Sequence, residues 1–161
     1  MRWTLPIAAA TLALGAMACS ARAPAPAPAV AAPTKHPISG LDVIPLTISQ
    51  NGKVHRFRVE VASTPEQQEK GLMFRTGMGK DEGILFPSAF PEARSFWMKN
   101  TVIPLDIVFI GTDHRISNIA ANAVPYSEAP INSAGETIAV LELNGGRAAE
   151  LGFMPGALVN W

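Results

Sequence analysis

Cysteine is almost absent from this chain, because Cys19 is the only one in 161 residues. No disulfide can therefore form within the chain, and residues 41–161 have no cysteine for catalysis or for a zinc site. The 13 lysine and arginine residues are balanced by 13 aspartate and glutamate residues, and they form no basic stripe. This balance argues against a nucleic-acid partner, because binding to phosphates needs clustered cations.

The motifs of several enzyme classes are also missing. The sequence has no glycine-rich phosphate loop, no dinucleotide fingerprint and no Gly-x-Ser-x-Gly elbow. His36, His55 and His114 fall in a linker edge, a solvated strand and a turn, which does not suggest a catalytic triad. We expect no cofactor and no metal site, and the sequence favours a non-catalytic role without deciding it.

The first 18 residues have the pattern of a secretory signal peptide. Arg2 supplies a positive charge, residues 5–18 form an apolar segment, and Ala16 with Ala18 gives an A-x-A cleavage site. This segment is too short to span a bilayer comfortably. We therefore expect an exported, periplasmic protein.

Cys19 directly follows this cleavage site. Residues 15–19 resemble a bacterial lipobox, in which the cysteine carries a lipid and becomes the new N-terminus. Ser20 follows it, which by resemblance to enterobacterial sorting favours the outer membrane. The alternative is a soluble periplasmic or secreted protein, cleaved at the same bond. In either case residues 19–40, with an Ala-Pro repeat at 23–28, predict an extended tether.

Residues 41–161 are long enough for a single globular domain with its own core. The Asn51–Gly52 pair predicts a hairpin. In its second strand Phe57 and Val59 point to one face while Arg58 and Glu60 point to the other, which predicts a sheet whose charged face is solvated. Strands are predicted at 41–50, 54–61, 83–86, 95–99, 105–110, 115–120, 137–143 and 157–161.

Two short helices are predicted between these strands. Thr64 caps the first, Gln67 completes a capping box and Gly71 ends it, while Asn144 caps the second over 146–151. Many short strands with two short helices predict a mainly β (α+β) fold. We expect a small, barrel-like, strongly coiled sheet of antiparallel or mixed strands.

Six segments of the domain carry a resemblance to a known family. They are residues 59–66, 71–75, 83–86, 96–101, 103–107 and 140–146. Their order and spacing resemble domain of unknown function 192 (DUF192) over about residues 54–159. The resemblance implies a small, mostly β domain that often follows an export signal and has no established activity. The chain departs from the family at Gln68, where arginine is usual, and at Ala157, where aspartate is usual. We expect both to be surface or turn positions.

Polar side chains interrupt the apolar strands at a few positions. Asp106 and Glu142 are lone carboxylates in apolar runs, and such a charge must be paired, open to a cleft or shifted in pKa. Strand alternation would place Trp97, Lys99 and Thr101 on one face. The candidate ligand-binding residues are Arg75, Trp97, Lys99, Asn100, Thr101, Asp106 and Glu142.

Three hypotheses follow from these residues. We favour a non-catalytic module that binds a small polar or glycan-like ligand, or a protein partner in the cell envelope. The first alternative is an envelope hydrolase with Asp106 and Glu142 as acid and base. The second is a scaffold in which Lys99 or Arg75 only neutralises one of these carboxylates. The sequence does not identify the ligand, any catalytic residue or the oligomeric state.

Overall fold

The computed structural model describes residue 1 and residues 34–161. The predicted signal peptide, Cys19 and most of the predicted tether lie outside the described residues. Within the described part, no helix has the length and the apolar character needed to cross a membrane.

Most of residues 34–161 belong to one curled β-sheet. Its strands are β1 (Thr34–Lys35), β2 (Asp42–Gln50), β3 (Lys53–Val61), β4 (Glu82–Phe96), β5 (Leu105–Gly111), β6 (Ile116–Ala123), β7 (Ile131–Asn144) and β8 (Leu158–Asn160). The order is β1-β2-β3-β4-β7-β5-β6, and β8 pairs with β2. The β3–β4 pair is parallel, and the other pairs are antiparallel. The predicted mainly β, mixed and strongly coiled sheet is confirmed.

Strand β8 connects the two distant edges of the sheet at one end. It pairs with β2 through Ile48 and Val159. On its other side, the Val159 N–H donates to the His114 carbonyl at 2.8 Å and the Ile116 N–H donates to the Ala157 carbonyl at 2.9 Å. These bonds curl the sheet into a half-barrel, because β2 and the start of β6 are otherwise far apart in the strand order.

Both faces of the central strands are buried, and all seven residues of β5 are inaccessible to solvent. Because side chains alternate along a strand, two separate apolar clusters form. The first core includes Leu46, Val59, Leu85, Val108 and Leu141. The second core, on the opposite face, includes Ile84, Phe86, Ile107, Phe109 and Val140. Each of these fully buried side chains contributes about 1.5–3 kcal/mol to folding.

The first helix, α1 (Pro65–Lys70), has the predicted ends. The Thr64 side chain accepts a hydrogen bond from the Gln67 N–H at 3.3 Å, and the Gln67 side chain accepts from the Thr64 N–H at 3.0 Å. Gly71 follows with a φ of 43°, which favours glycine. None of the helical residues is buried, so the whole helix lies at the surface.

The second helix, α2 (Arg147–Leu151), begins differently from the prediction. Gly146, not Asn144, is its N-cap, and Gly146 has a φ of 83°. The Asn144 amide donates instead to the carbonyls of Met78 and Gly79, at 3.3 and 2.9 Å. Asn144 is therefore occupied by a distant loop and is not free to cap the helix.

The region around residue 97 is the main departure from the predicted strands. The predicted strands at 83–86 and 95–99 are parts of the single strand β4, which ends at Phe96. A turn follows, in which Asn100 has a φ of 55° and the Thr101 N–H donates to the Met98 carbonyl at 3.0 Å. Since 97–101 is a turn, the prediction that Trp97, Lys99 and Thr101 alternate on one strand face is wrong.

Candidate functional site

An open cleft of about 310 Å³ lies beside helix α1. Its walls come from the end of α1 and the following residues, 68–73, and from the end of β4, 94–97. Phe86, Lys99, Thr101 and Glu142 complete the lining. We call this space the α1 cleft. Four predicted site residues, Trp97, Lys99, Thr101 and Glu142, come together here although the strand pattern predicted for three of them is wrong.

Glu142 is the most unusual group in the α1 cleft. It lies near the end of β7, where it is paired with Ile84 of β4 on one side and Ile107 of β5 on the other. Its side chain therefore rises from the apolar face that carries the second core, and only 5% of the residue is exposed. No residue in the range 34–161 donates a hydrogen bond to its carboxyl group.

Burial decides the charge of Glu142. It raises the pKa of this carboxyl from 4.5 to about 8, because water can no longer solvate the ionised form. At pH 7 the group is therefore mostly neutral, and it can donate one hydrogen bond as well as accept others. A buried carboxyl without a partner destabilises the fold, which makes it a candidate for a functional group.

Cationic side chains also line the α1 cleft. Lys70 at the end of α1 and Lys99 in the turn both line the α1 cleft, and neither forms an ion pair with another described residue. The Lys99 Nζ atom lies 5.1 Å from the centroid of the Trp97 ring, within range of a cation–π interaction. The positive charge of both lysines thus remains available to a bound anion.

Arg94 is the third cation, and it is held in place by neighbouring groups. Its guanidinium donates to Gln68 Oε1 at 3.1 Å, Ser88 Oγ at 2.9 Å and Glu92 Oε1 at 3.3 Å. It also lies 5.4 Å from the centroid of the Phe96 ring. Gln68 is therefore a half-buried part of the cleft wall, on the surface helix α1.

Trp97 and Thr101 supply the remaining features of the site. Trp97 is 47% exposed, so its ring offers an apolar surface next to the charged groups. Thr101 is buried, and its hydroxyl donates to the Lys99 carbonyl at 3.3 Å. Its lone pairs leave the hydroxyl able to accept a further hydrogen bond.

Asp106 lies outside this cleft, on the other face of the sheet. It is paired with Leu143, whereas its neighbour Ile107 is paired with Glu142. Directly paired residues share a face and consecutive residues do not. The structure therefore does not bring Asp106 and Glu142 together, and the predicted carboxylate pair is not formed.

The surroundings of Asp106 explain why this carboxylate is fully buried. Oδ1 accepts from the Asn122 N–H at 2.8 Å and from the Gly146 N–H at 2.9 Å. Oδ2 accepts from the Ala148 N–H at 2.7 Å, in the first turn of α2. Asp106 thus caps α2 from a neighbouring strand, which is a structural role.

Arg75 and Asn100 also lie outside the α1 cleft. The Arg75 guanidinium donates to both oxygens of Glu60, at 2.9 and 3.0 Å, and the Ser39 hydroxyl bonds to the same carboxylate. Glu60 is only 2% exposed, although the strand pattern predicted a solvated position; its pairing with Arg75 explains the difference. The Asn100 carbonyl accepts from the Phe74 N–H at 2.8 Å and fixes the turn.

The sequence analysis missed Lys70, Arg94 and Gln68 as cleft residues. Lys70 belongs to a wholly polar helix and looked like an ordinary surface lysine. Arg94 and Gln68 are 26 residues apart, and no local pattern joins them. For the described residues, no group of three histidine, cysteine, aspartate or glutamate side chains could hold a metal ion.

Comparison with known proteins identifies the family. The model of DUF192, described as "Uncharacterized ACR, COG1430", matches residues 46–161. The chain belongs to the DUF192 family. The resemblance seen in the sequence is therefore confirmed, and the match covers the α1 cleft and the Asp106 cap. No curated protein matches the chain.

Two solved structures are similar to this one. A protein of unknown function from Novosphingobium aromaticivorans DSM 12444 is 56% identical, with a TM-score of 0.79; the alignment covers 81% of this chain and 94% of that one. A protein from Sinorhizobium meliloti 1021, provisionally described as a transcription regulator, is 42% identical with a TM-score of 0.70. That alignment covers 72% of this chain and 91% of the other.

Proposed function

We propose that this DUF192 protein is a binding module that holds a small, anionic, hydroxylated ligand in the α1 cleft without catalysing a reaction. The observation that carries the proposal is Glu142, a residue that is 95% buried, whose carboxyl group receives no hydrogen bond from residues 34–161 and faces a cleft lined by cations. A fold retains such a destabilising group when function needs it.

The chemistry of the lining selects the ligand class. Lys70 and Lys99 attract a carboxylate or similar anion, and the neutral Glu142 can exchange hydrogen bonds with hydroxyl groups. The exposed face of Trp97 suits the apolar face of a sugar ring. A volume of about 310 Å³ is at the small end for ligand pockets, so an acidic monosaccharide or a hydroxy acid is the expected size.

The two alternatives from the sequence are less well supported. A hydrolase using Asp106 and Glu142 needs both carboxylates at one bond, but they lie on opposite faces of the sheet. A pure scaffold has no use for an unpartnered Glu142, since an apolar residue there would be more stable. A role in transcription regulation, as described for the Sinorhizobium protein, finds no support in the chain's balanced charge.

The proposed location is the cell envelope. We infer from residues 1–18 and from Cys19 that the protein is exported and carries a lipid anchor, with the domain in the periplasm. Metabolic labelling with an alkyne fatty acid tests this directly. The wild type should be labelled and sediment with the outer membrane, and Cys19→Ser should not be labelled. An unlabelled wild type in the soluble periplasm would contradict the anchor.

Calorimetric titration tests the ligand class. D-glucuronic acid should bind with a Kd in the micromolar to millimolar range, and the neutral parent glucose should bind at least tenfold more weakly. Lys99→Ala should weaken the binding of the acid about tenfold, because it removes one charge–charge contact worth roughly 1–2 kcal/mol. Lys53→Ala is the matched control, since Lys53 is an exposed lysine that does not line the cleft.

Two results would contradict the proposal. One is the absence of binding for a panel of uronic acids and hydroxy acids at millimolar concentration. The other is an unchanged affinity in the Lys99 variant, which would place the bound anion elsewhere on the protein.

A further inference from the structure

A second hollow adjoins the α1 cleft. It has a volume of about 250 Å³ and is lined by Ser95, Phe96, Trp97, Glu128 and Pro130. The first three of these residues also line the α1 cleft. Trp97 is therefore part of the wall of both spaces, and 47% of the residue is exposed.

The loop that forms the far wall of this hollow is fixed to the same turn as Trp97 and Lys99. The Met98 N–H donates to the Ser127 carbonyl at 2.8 Å, and the Tyr126 N–H donates to the Thr101 carbonyl at 3.2 Å. These two bonds bracket the turn. They hold the loop that precedes Glu128 against the turn that follows Trp97, and they fix the position of the hollow relative to Trp97.

The two spaces carry opposite charge. Lys70, Arg94 and Lys99 outnumber Glu69, the exposed carboxylate of the α1 cleft, whereas Glu128 is the only charged residue that lines the second hollow. Glu128 is exposed and forms no ion pair with the residues described. A ligand that fills both spaces must therefore have an anionic end and an end that can donate hydrogen bonds to a carboxylate.

From this juxtaposition we infer that the ligand is at least a disaccharide, in which an acidic sugar occupies the α1 cleft and an amino sugar occupies the second hollow against Trp97 and Glu128. The inference rests on the proposed function, since it assumes an anion in the α1 cleft. It adds the size of the ligand and the chemistry of its second unit. A carboxylate such as Glu128 pairs with an ammonium group far better than with a second anion.

Titration with three defined sugars tests this inference. They are glucuronic acid, glucuronic acid linked to glucosamine, and glucuronic acid linked to glucose. The glucosamine disaccharide should bind at least tenfold more tightly than the monosaccharide, and more tightly than the glucose disaccharide. Glu128→Gln should remove the advantage of the amine. Glu136→Gln, an exposed glutamate that lines neither space, should leave it unchanged.

Trp97→Ala provides the second arm of the test. It should reduce the affinity for both disaccharides by more than the affinity for the monosaccharide, and a melting temperature close to that of the wild type shows that the variant is folded. If the monosaccharide binds through Lys99 and the disaccharides bind no more tightly than the monosaccharide, the second hollow is not a subsite. That result overturns only this inference. Where none of the three sugars binds, the proposed function fails with it.

Discussion

The substitution Glu142→Gln should stabilise the domain by an amount that grows with pH. The pKa of this carboxyl is about 8 in the folded protein because of burial, against 4.5 for an ordinary glutamate. Between these values the unfolded chain loses the proton while the folded protein keeps it, so rising pH favours unfolding. Glutamine has nearly the same shape as the neutral acid and does not titrate, so the variant avoids this loss.

The size of the effect follows from the two pKa values. At roughly 1.36 kcal/mol per pH unit, the free energy of unfolding of the wild type falls by about 3 kcal/mol between pH 4 and pH 7 and by about 5 kcal/mol between pH 4 and pH 9. The free energy of unfolding of Glu142→Gln should therefore equal that of the wild type at pH 4 and exceed it by these amounts at pH 7 and pH 9. Differences of this size are a large part of the stability of a typical domain.

Urea unfolding followed by tryptophan fluorescence at pH 4, 7 and 9 measures the effect. Glu69→Gln is the matched control, because Glu69 is exposed on the rim of the same cleft; its free energy of unfolding should stay within about 0.5 kcal/mol of the wild type. Parallel pH profiles for Glu142→Gln and the wild type would refute the reasoning. So would a variant less stable than the wild type at pH 7, since the carboxyl would then have partners in the fold.

Three further predictions concern groups around the cleft and the cores. Binding of an acidic sugar to the wild type should weaken above pH 8, because Glu142 then becomes charged and repels the anion. Calorimetric titrations at pH 7 and pH 9 measure this change, and the affinity of Glu142→Gln should be the same at both pH values. Asp106→Asn should reduce the free energy of unfolding by about 2–4 kcal/mol, because an amide cannot accept hydrogen bonds from all three N–H groups. An unchanged urea midpoint would contradict the structural role of Asp106. Arg75→Ala should reduce the free energy of unfolding by about 3–5 kcal/mol, because it leaves the Glu60 carboxylate buried without its cation. Arg56 is exposed and serves as the control: Arg56→Ala should change the free energy of unfolding by less than about 0.5 kcal/mol.

The local features of the fold could be predicted from the sequence. The capping box of Thr64 and Gln67 and the stop at Gly71 lie within eight residues, and their chemistry acts over that distance. The Asn51–Gly52 hairpin is equally local, since its turn residues tolerate the backbone that the strands require. Strand alternation also predicted the buried positions of Phe57 and Val59.

The same local patterns failed where a distant residue changed the environment. Strand alternation places Glu60 on the face predicted to be solvated, yet Glu60 is buried because its carboxylate pairs with Arg75. Asn144 has the right chemistry for a helix cap, but Asp106 supplies the cap from 40 and 42 residues away. Ala157 was expected at a surface or turn position, and its N–H does close a turn by donating to the Met154 carbonyl at 3.2 Å; the residue is nevertheless only 2% exposed, because it packs in the first core.

The sequence by itself determined that this is a small, mainly β domain of the DUF192 type, and that Glu142 and Asp106 need an explanation. Only the tertiary structure decided which of the two carboxyl groups faces a cleft. The reason is the register of β5 and β7, which places Glu142 opposite Ile107 and Asp106 opposite Leu143. A shift of one residue would exchange the two faces. The two pairs join residues 35 and 37 positions apart, so their register is set by how the whole sheet packs.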